Sequence, residues 1–361
     1  MDCIEHIYIH VPFCKKKCLY CDFYSIPVNV NEDDLFEEYA ESLISELNYN
    51  SLYLKNKSVK TVYIGGGSPA LLGFDNLERL FGSLNPYLDK GCECTIEMNP
   101  EHFVSKDLIK DLNKIGINRV SIGVQSSIDR LLENIGRAYS KEQLIKNISV
   151  VEKLGMILSL DFMFALPGET KKDLASELKF IKSTNAHHLS YYMFTPAQKN
   201  EWTNLPDDET ISDMFKILHG GLEKTGYEHY EISNYAKAGF ECRHNSAYWT
   251  RKSYLGIGAG AHGYFKEKKM RYWNIKDIRH YMDYENKMEN FEILDKDAER
   301  SEEIMLGMRM LKKGVALNLV NKSKLGMLEE RRLIVLDKES NNIKLGKDGM
   351  VLLNSVVESL I

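Results

Sequence analysis

Three cysteines crowd into eight positions of the segment His10-Val-Pro-Phe-Cys14-Lys-Lys-Lys-Cys18-Leu-Tyr-Cys21-Asp-Phe23, spaced C-x3-C-x2-C. Thiolates so close in sequence can converge on metal, and two chemistries compete for them. Four-coordinate zinc needs one more ligand, which His10 could supply. A cuboidal iron–sulfur cluster usually takes four protein thiolates. The other cysteines (Cys3, Cys92, Cys94 and Cys242) are remote, and Phe23 stands where a fourth could have followed. Three thiolates on such a cluster leave one iron open for a substrate or cofactor, much as catalytic zinc keeps an open position. The spacing favours iron–sulfur over zinc. Seven cysteines, an odd number with three clustered, suit metal binding in a reducing compartment better than a disulfide framework.

Other candidates lie where strand-like runs end. Gly65-Gly66-Gly67-Ser68-Pro69 follows TVYI. Glycines there let a ligand approach the backbone, although alone the motif reads as a tight strand-to-helix turn. Glu97 closes IE, Gln125 closes SIGVQ, Arg137 lies in IGRAYS and Asp161 in SLDFMF. A buried Asp in an apolar strand is costly without a partner, which cofactor hydroxyls or a basic group could provide. Singly, each residue suits an internal salt bridge or cap. Together, at the carboxyl ends of successive strands, they favour a nucleoside-type ligand. Tyr8 faces the same groove if the first strand keeps register. Lys15–Lys17 could raise the local positive potential, but a solvated loop is the simpler account.

The elements that must position these groups alternate. His6–Val11, Thr61–Ile64, Cys94–Met98, Arg119–Val124, Leu158–Phe164 and His188–Met193 read as strands, apolar on both sides as buried parallel strands are. Asp33–Leu47, capped by Asp33 or Asp34, and Phe74–Leu88, Lys106–Ile115, Lys141–Leu154 and Lys171–Ser183 read as helices. The fold class is α/β, either an open doubly wound sheet or a barrel. The pattern changes after about Pro206, which divides the chain into 1–206 and 207–361. The second part holds a helix (Asp207–Thr225), an aromatic, Gly-rich stretch to about Asn274 and a helix near Glu302–Lys312. Leu325–Arg332 reads as helical, and Ile334–Leu336 with Asn342–Leu345 as a two-stranded wing before a final helix.

Composition bounds the partners. With 361 residues, 43% apolar and 27% charged, the chain is an ordinary soluble globular protein. A net charge of −5 argues against a nucleic-acid partner. No apolar run approaches the roughly 20 residues of a membrane span, and MDCIEHIYIH lacks a positive n-region, so a cytoplasmic address is expected. Membrane contact is at most peripheral.

C-x3-C-x2-C with an aromatic residue before the last cysteine resembles the signature of the radical SAM superfamily. The resemblance implies a partial TIM-like (β/α)6 barrel followed by a smaller α+β, helical C-terminal domain. It implies a [4Fe–4S] cluster on Cys14, Cys18 and Cys21, whose open iron is chelated by S-adenosylmethionine before reductive cleavage to a 5′-deoxyadenosyl radical. Gly66 and Gly67 match the family's glycine motif that meets the methionyl amine, and Glu97 matches its acid near the cofactor. Gln125, Arg137, Asp161 and Tyr8 complete the implied cofactor contacts.

PFC-x3-C-x-YCDF, GGGSP, GVQS, IGR and D-x-M-x2-LPGET together resemble one branch of that superfamily. It holds oxygen-independent coproporphyrinogen III oxidase and the HemW haem chaperones. The oxidase carries a fourth cysteine two places after the third, where this chain has Phe23, and an N-terminal extension before the first strand. Both differences point to the HemW side. Cys242-Arg-His244-Asn-Ser-Ala-Tyr248-Trp249 matches the HNxxYW pattern of that family, which implies haem binding at or near His244. Imidazole is a good axial ligand and the aromatic rings offer flat faces, although a lone His beside aromatics is more often a packed residue. Glycines at 256 and 258 have dinucleotide-like spacing without a βαβ context. Ala165 stands where relatives have Gly, Tyr139 where many have His, and the region after Gly314 is shorter than usual. The implied function is a haem chaperone, a monomer or dimer, delivering haem to a haem-dependent respiratory protein. The alternative is the oxidase, decarboxylating coproporphyrinogen III.

Overall fold

The computed structural model describes residues 3–29, 32–102, 106–196 and 202–361. Its centre is a nine-stranded sheet. Strands β1 (His6–Val11), β2 (Val59–Gly66), β3 (Leu88–Met98), β4 (Arg119–Gln125), β5 (Ile157–Phe164) and β6 (His188–Met193) lie side by side in that order, all parallel. These are the six strands expected from the sequence. Parallel neighbours need crossovers, and helices α1 (Asp33–Tyr49), α2 (Phe74–Leu84), α3 (Lys106–Lys114), α4 (Asp129–Asn134), α5 (Lys141–Lys153) and α6 (Lys171–Lys182) provide them. Thr170 and Asp173 form a reciprocal capping box on α6, and Ser140 caps α5. Asp33 and Asp34 do not cap α1; they lie in its first turn, where their charge suits the helix dipole. The second helix stops at Leu84, because residues from Leu88 onward belong to β3.

The expectation that the strands are apolar on both sides does not hold. Ile7, Ile9, Val62, Ile64, Ile96, Val120, Ile122, Leu158 and Leu160 are completely buried in the main apolar core. The alternate positions, which point to the other face, are His6, Tyr8, His10, Tyr63, Glu93, Glu97, Arg119, Ser121, Asp161 and His188. Tyrosine fits β-strands as well as aliphatic residues do, and the histidines of HIYIHV sit among strand formers, so the run reads as continuous when it alternates. The sheet has one apolar face and one polar chamber.

Three of the nine strands lie beyond residue 206, so the sheet draws on both sides of the expected boundary. After α7 (Asp208–Lys224) come β7 (Glu228–Glu231) and β8 (Asn234–Ala236), which add antiparallel to the β6 edge. Helix α8 (Arg243–Trp249) follows, and β9 (Leu255–Ile257) then pairs parallel with β1 at the opposite edge. The segment after β9 is fastened to α1 by Glu46, which is 3% exposed. Its carboxylate accepts from the Tyr281 hydroxyl at 2.6 Å, Asn274 Nδ2 at 2.7 Å and the Gly258 amide at 2.9 Å. Burial pushes Glu46 up to about 7, against the pull of these donors.

A three-stranded antiparallel sheet, β10 (His262–Phe265), β11 (Met270–Asn274) and β12 (Met288–Ile293), packs beside this edge, with α9 (Ile278–Asp283) inserted before its last strand. Helix α10 (Lys296–Gly307) begins six residues earlier than the expected Glu302, because Asp295 accepts from the amides of Asp297 and Ala298. A second apolar cluster, including Ile304, Met308, Leu328, Ile343 and Leu360, holds the C-terminal piece together. Its wing has three strands rather than two. The pair Val315–Ala316 (β13) adds to Ile334–Asp337 (β14) and Asn342–Leu345 (β15), beside α11 (Leu325–Glu330) and α12 (Leu353–Leu360). Among the described residues no helix is long and apolar enough to cross a membrane.

Candidate functional site

A cavity of about 360 Å³ opens at the carboxyl ends of the parallel strands. Cys14, Cys18, Cys21, Gly66, Gly67, Glu97, Gln125, Arg137 and Asp161 all line it. A larger cleft of about 540 Å³ beside Phe194 and Leu352 contains none of the expected site residues, so chemistry rather than size identifies the site.

The cysteine loop is closed at its base. Phe13–Cys14 pairs with Ile26–Pro27, and the Cys14 carbonyl accepts from the Val28 amide at 2.9 Å. Between these anchors the Cys21 amide donates to the Cys18 carbonyl at 3.2 Å, turning the chain so that all three free thiols face one cavity. Burial, then the neighbouring Cys21 and Cys18, push Cys14 up to about 11. A bound cation reverses that preference, since metal ligation favours the thiolate.

His10, the candidate fourth zinc ligand, is spent elsewhere. Its Nδ1 meets the Tyr8 hydroxyl and its Nε2 the Tyr24 carbonyl, both at 2.8 Å. Among the described residues no group of three or more His, Cys, Asp or Glu side chains is arranged to hold a single metal ion. Thiolates holding a cuboidal cluster need only reach its separate corners.

The glycine strip is a tight turn and an open face at once. A Cβ on Gly67 would stand 2.5 Å from the Phe13 carbonyl oxygen. One on Gly66 would stand 2.6 Å from the His10 ring, at a φ of +113° that side chains resist. With no side chains, the backbone of Gly66 and Gly67 is part of the cavity wall.

Glu97 accepts from the Tyr63 hydroxyl at 2.7 Å and the Gly66 amide at 3.0 Å. Burial outweighs these bonds and pushes it up to about 7, with Asp161 adding repulsion. Asp161 accepts from Ser121 Oγ at 2.8 Å; burial raises it while Ser190 and Ser121 oppose. Its partners in the fold are serine hydroxyls, and it lines the cavity. Arg137 is nearly enclosed, donating to Tyr20 at 3.0 Å and Asn99 at 3.1 Å, with Glu101 at 3.8 Å. Gln125 and Ala165 both have positive φ, +57° and +61°, where the strands turn out of the sheet. Such backbone is disfavoured for residues with a Cβ; of the two, Gln125 lines the cavity, while Ala165 lines the larger cleft.

A signed pH effect follows for Glu97. Its folded-state value lies above the unfolded one of about 4.5, so between pH 4.5 and 7 the folded chain binds more protons than the unfolded chain. Its contribution is therefore complete below about pH 4.5 and is lost as pH rises through about 7. Glu97→Gln cannot titrate. Urea denaturation at pH 5 and pH 8 is expected to show the wild type losing on the order of 1–3 kcal/mol relative to Glu97→Gln. A constant difference between the two proteins would contradict this environment.

Two expected residues lie outside the cavity lining. Tyr8 stands behind it, stacked on Tyr63 with centroids 6.3 Å apart. His244 lies beneath Tyr63, 1% exposed, with Nδ1 bonded to Thr61 Oγ1 and Nε2 to the Tyr248 hydroxyl, each at 2.7 Å. Burial pushes it down to about 3, so the ring is neutral. Neither ring nitrogen offers a free lone pair to an iron. Tyr20, Tyr63, Asn99 and Tyr192 line the cavity without having been foreseen. The alternation of β2, in which Thr61, Tyr63 and Gly65 share a face, was the available signal for Tyr63.

Comparison with known proteins gives the family and the fold. Residues 8–181 match the radical SAM superfamily. The chain is 35% identical over 315 residues to the haem chaperone HemW of Lactococcus lactis, covering 84% of this chain and 80% of that protein. It is 35% identical over 292 residues to HemW of Bacillus subtilis, covering 78% and 76%. With HemW of Mycobacterium tuberculosis the match extends to 98% of this chain and 94% of that one, at 29% identity. Among solved structures, coproporphyrinogen III oxidase (HemN) from Escherichia coli, a radical SAM enzyme, superposes with a TM-score of 0.81. That match covers 99% of this chain and 90% of the oxidase at 18% identity, a likeness of fold.

Proposed function

We propose a haem-carrying role for this chain, which belongs to the HemW family of the radical SAM superfamily. The single observation behind the proposal is the extended sequence likeness to HemW chaperones. On this reading Cys14, Cys18 and Cys21 hold a [4Fe–4S] cluster, and the residues present suit it: three free thiols on one closed loop, facing one cavity. S-adenosylmethionine is held against the Gly66–Gly67 backbone, Glu97, Gln125, Arg137 and Asp161, with Tyr8 supporting the wall from behind. When bound, the cluster supplies one electron to the cofactor's sulfonium. The chain's own part is to exclude bulk water and to set charge. Glu97 and Asp161 line the cavity with carboxyl groups that would attract a cationic ligand, and Arg137, fixed by Tyr20 and Asn99, lines it with a guanidinium.

Residues 1–206 carry the cofactor site, and 207–361 contribute the chamber floor, three strands and the small C-terminal unit. Haem is cargo, passed in the cytoplasm to a haem-requiring respiratory protein, with membrane contact at most peripheral and the chain a monomer or dimer. His244, with both nitrogens engaged, is left out of the iron contacts.

The fold match to the oxidase favours a second reading, radical decarboxylation of coproporphyrinogen III. Reduced, cluster-loaded protein incubated with S-adenosylmethionine and coproporphyrinogen III is expected to form no protoporphyrinogen. Conversion by the wild type but not by Cys18→Ser would displace the chaperone reading.

A further inference from the structure

We propose that His244 is a positioning residue for the cofactor cavity, acting through Tyr63 on Glu97, and not a haem ligand. The inference rests on the reading of the cavity as an S-adenosylmethionine site. Five contacts carry it, in order from the cavity inward. Glu97, on the cavity wall, accepts the Tyr63 hydroxyl at 2.7 Å. The Tyr63 ring lies over the His244 imidazole, centroids 5.2 Å apart and 28° from coplanar. The imidazole is pinned at both ends, to Thr61 Oγ1 and to the Tyr248 hydroxyl. The His244 amide donates to Glu93 at 3.1 Å, which fixes the first turn of α8 to β3.

Proton counting shows why the ring suits this place. Thr61 has one hydroxyl proton and two imidazole neighbours, His244 at 2.7 Å and His6 at 2.9 Å. A neutral imidazole donates from one nitrogen and accepts at the other. In either tautomer His244 therefore completes a chain running from His6 through Thr61 to Tyr248, and no nitrogen is left over. Iron at Nε2 would displace the Tyr248 hydroxyl and strand it in a buried site. The flat face is the second requirement. Without it Tyr63 lies over a void on that side and loses one of the two rings, Tyr8 being the other, that hold its hydroxyl on the Glu97 oxygen.

The test uses cluster-loaded full-length protein and two readouts besides turnover. Affinity for S-adenosylmethionine is read from the change in the electron paramagnetic resonance spectrum of the reduced cluster; haemin binding is read from the Soret band. His244→Ala and Tyr63→Phe are each expected to weaken S-adenosylmethionine binding about three- to tenfold, the factor corresponding to the net worth of one hydrogen bond. Because they act on one chain of contacts, the double variant is expected to be no weaker than the weaker single one. His244→Gln, which keeps a flat polar group, should fall between wild type and His244→Ala, and it carries the test if the alanine variant does not fold. The haemin Soret position should be that of wild type in every variant. Unchanged cofactor affinity in the His244 variants, additive losses in the double variant, or a Soret change confined to the His244 variants would each overturn the proposal. Wild-type protein that binds no S-adenosylmethionine would instead overturn the cavity reading beneath it, an outcome distinguished by needing no variant.

Discussion

Cys18→Ser protein, isolated without oxygen and supplied with iron and sulfide, is expected to retain almost none of the roughly four irons per chain of a full [4Fe–4S] cluster. Cys18 sits between the other two thiols on a loop anchored at both ends, so neither neighbour can take over its corner. The alternative donors are already committed or distant: His10 bonds Tyr8 and Tyr24, while Cys92, Cys94 and Cys242 are buried elsewhere in the fold. Serine is a poor replacement for a soft thiolate. The fold should survive, because Cys18 is half-exposed outside the apolar core. Iron and sulfide analysis beside a circular dichroism spectrum checks both halves. Retained iron at wild-type levels would show that the loop is not the cluster site.

The largest expected stability effect lies at the opposite end of the chamber. Glu93 is 5% exposed and accepts from the amides of Arg243 at 3.3 Å and His244 at 3.1 Å, the first turn of α8. It is also the carboxylate facing Arg119, at 4.0 Å, whose side chain is 2% exposed and otherwise donates to the Phe240 carbonyl at 3.2 Å. Glu93→Ala strands a buried guanidinium and frees two amides. Breaking a buried pair from one side costs about 3–5 kcal/mol. Urea denaturation should show a loss of that order, with Glu93→Gln between the two because its amide oxygen still accepts. A loss under about 1 kcal/mol, the range of an exposed ion pair, would contradict this account of the floor.

Much of the cofactor end was legible in the sequence, because its signals are local. Cysteine spacing, a glycine run after a β-branched segment and acids in the strands each occupy a few consecutive residues, and the cavity gathers seven of the residues so identified together with Gln125 and Arg137. The floor was not legible, since its contacts join residues far apart: Glu93 with His244, and Thr61 with His244. The polar chamber was hidden by residue type, because Tyr8 suits a strand as well as isoleucine does and His6 and His10 sit among strand formers. Strand β9, three residues with a glycine at its centre, is too short to show a period, yet it pairs with the whole centre of β1. Glu46 fell among the helix residues between two buried leucines without standing out, and only the folded chain brings Gly258, Asn274 and Tyr281 to it. Ala165 is different: its departure from a glycine was visible in the sequence, but the left-handed φ that gives it meaning was not.

The haem-carrying role is tested most directly by titrating anaerobic, cluster-loaded protein with haemin and following the Soret region. A saturable shift away from the free-haemin spectrum is expected at about one haem per chain, with the cluster absorption unchanged. A spectrum that remains the sum of cluster and free haemin at every ratio would contradict it.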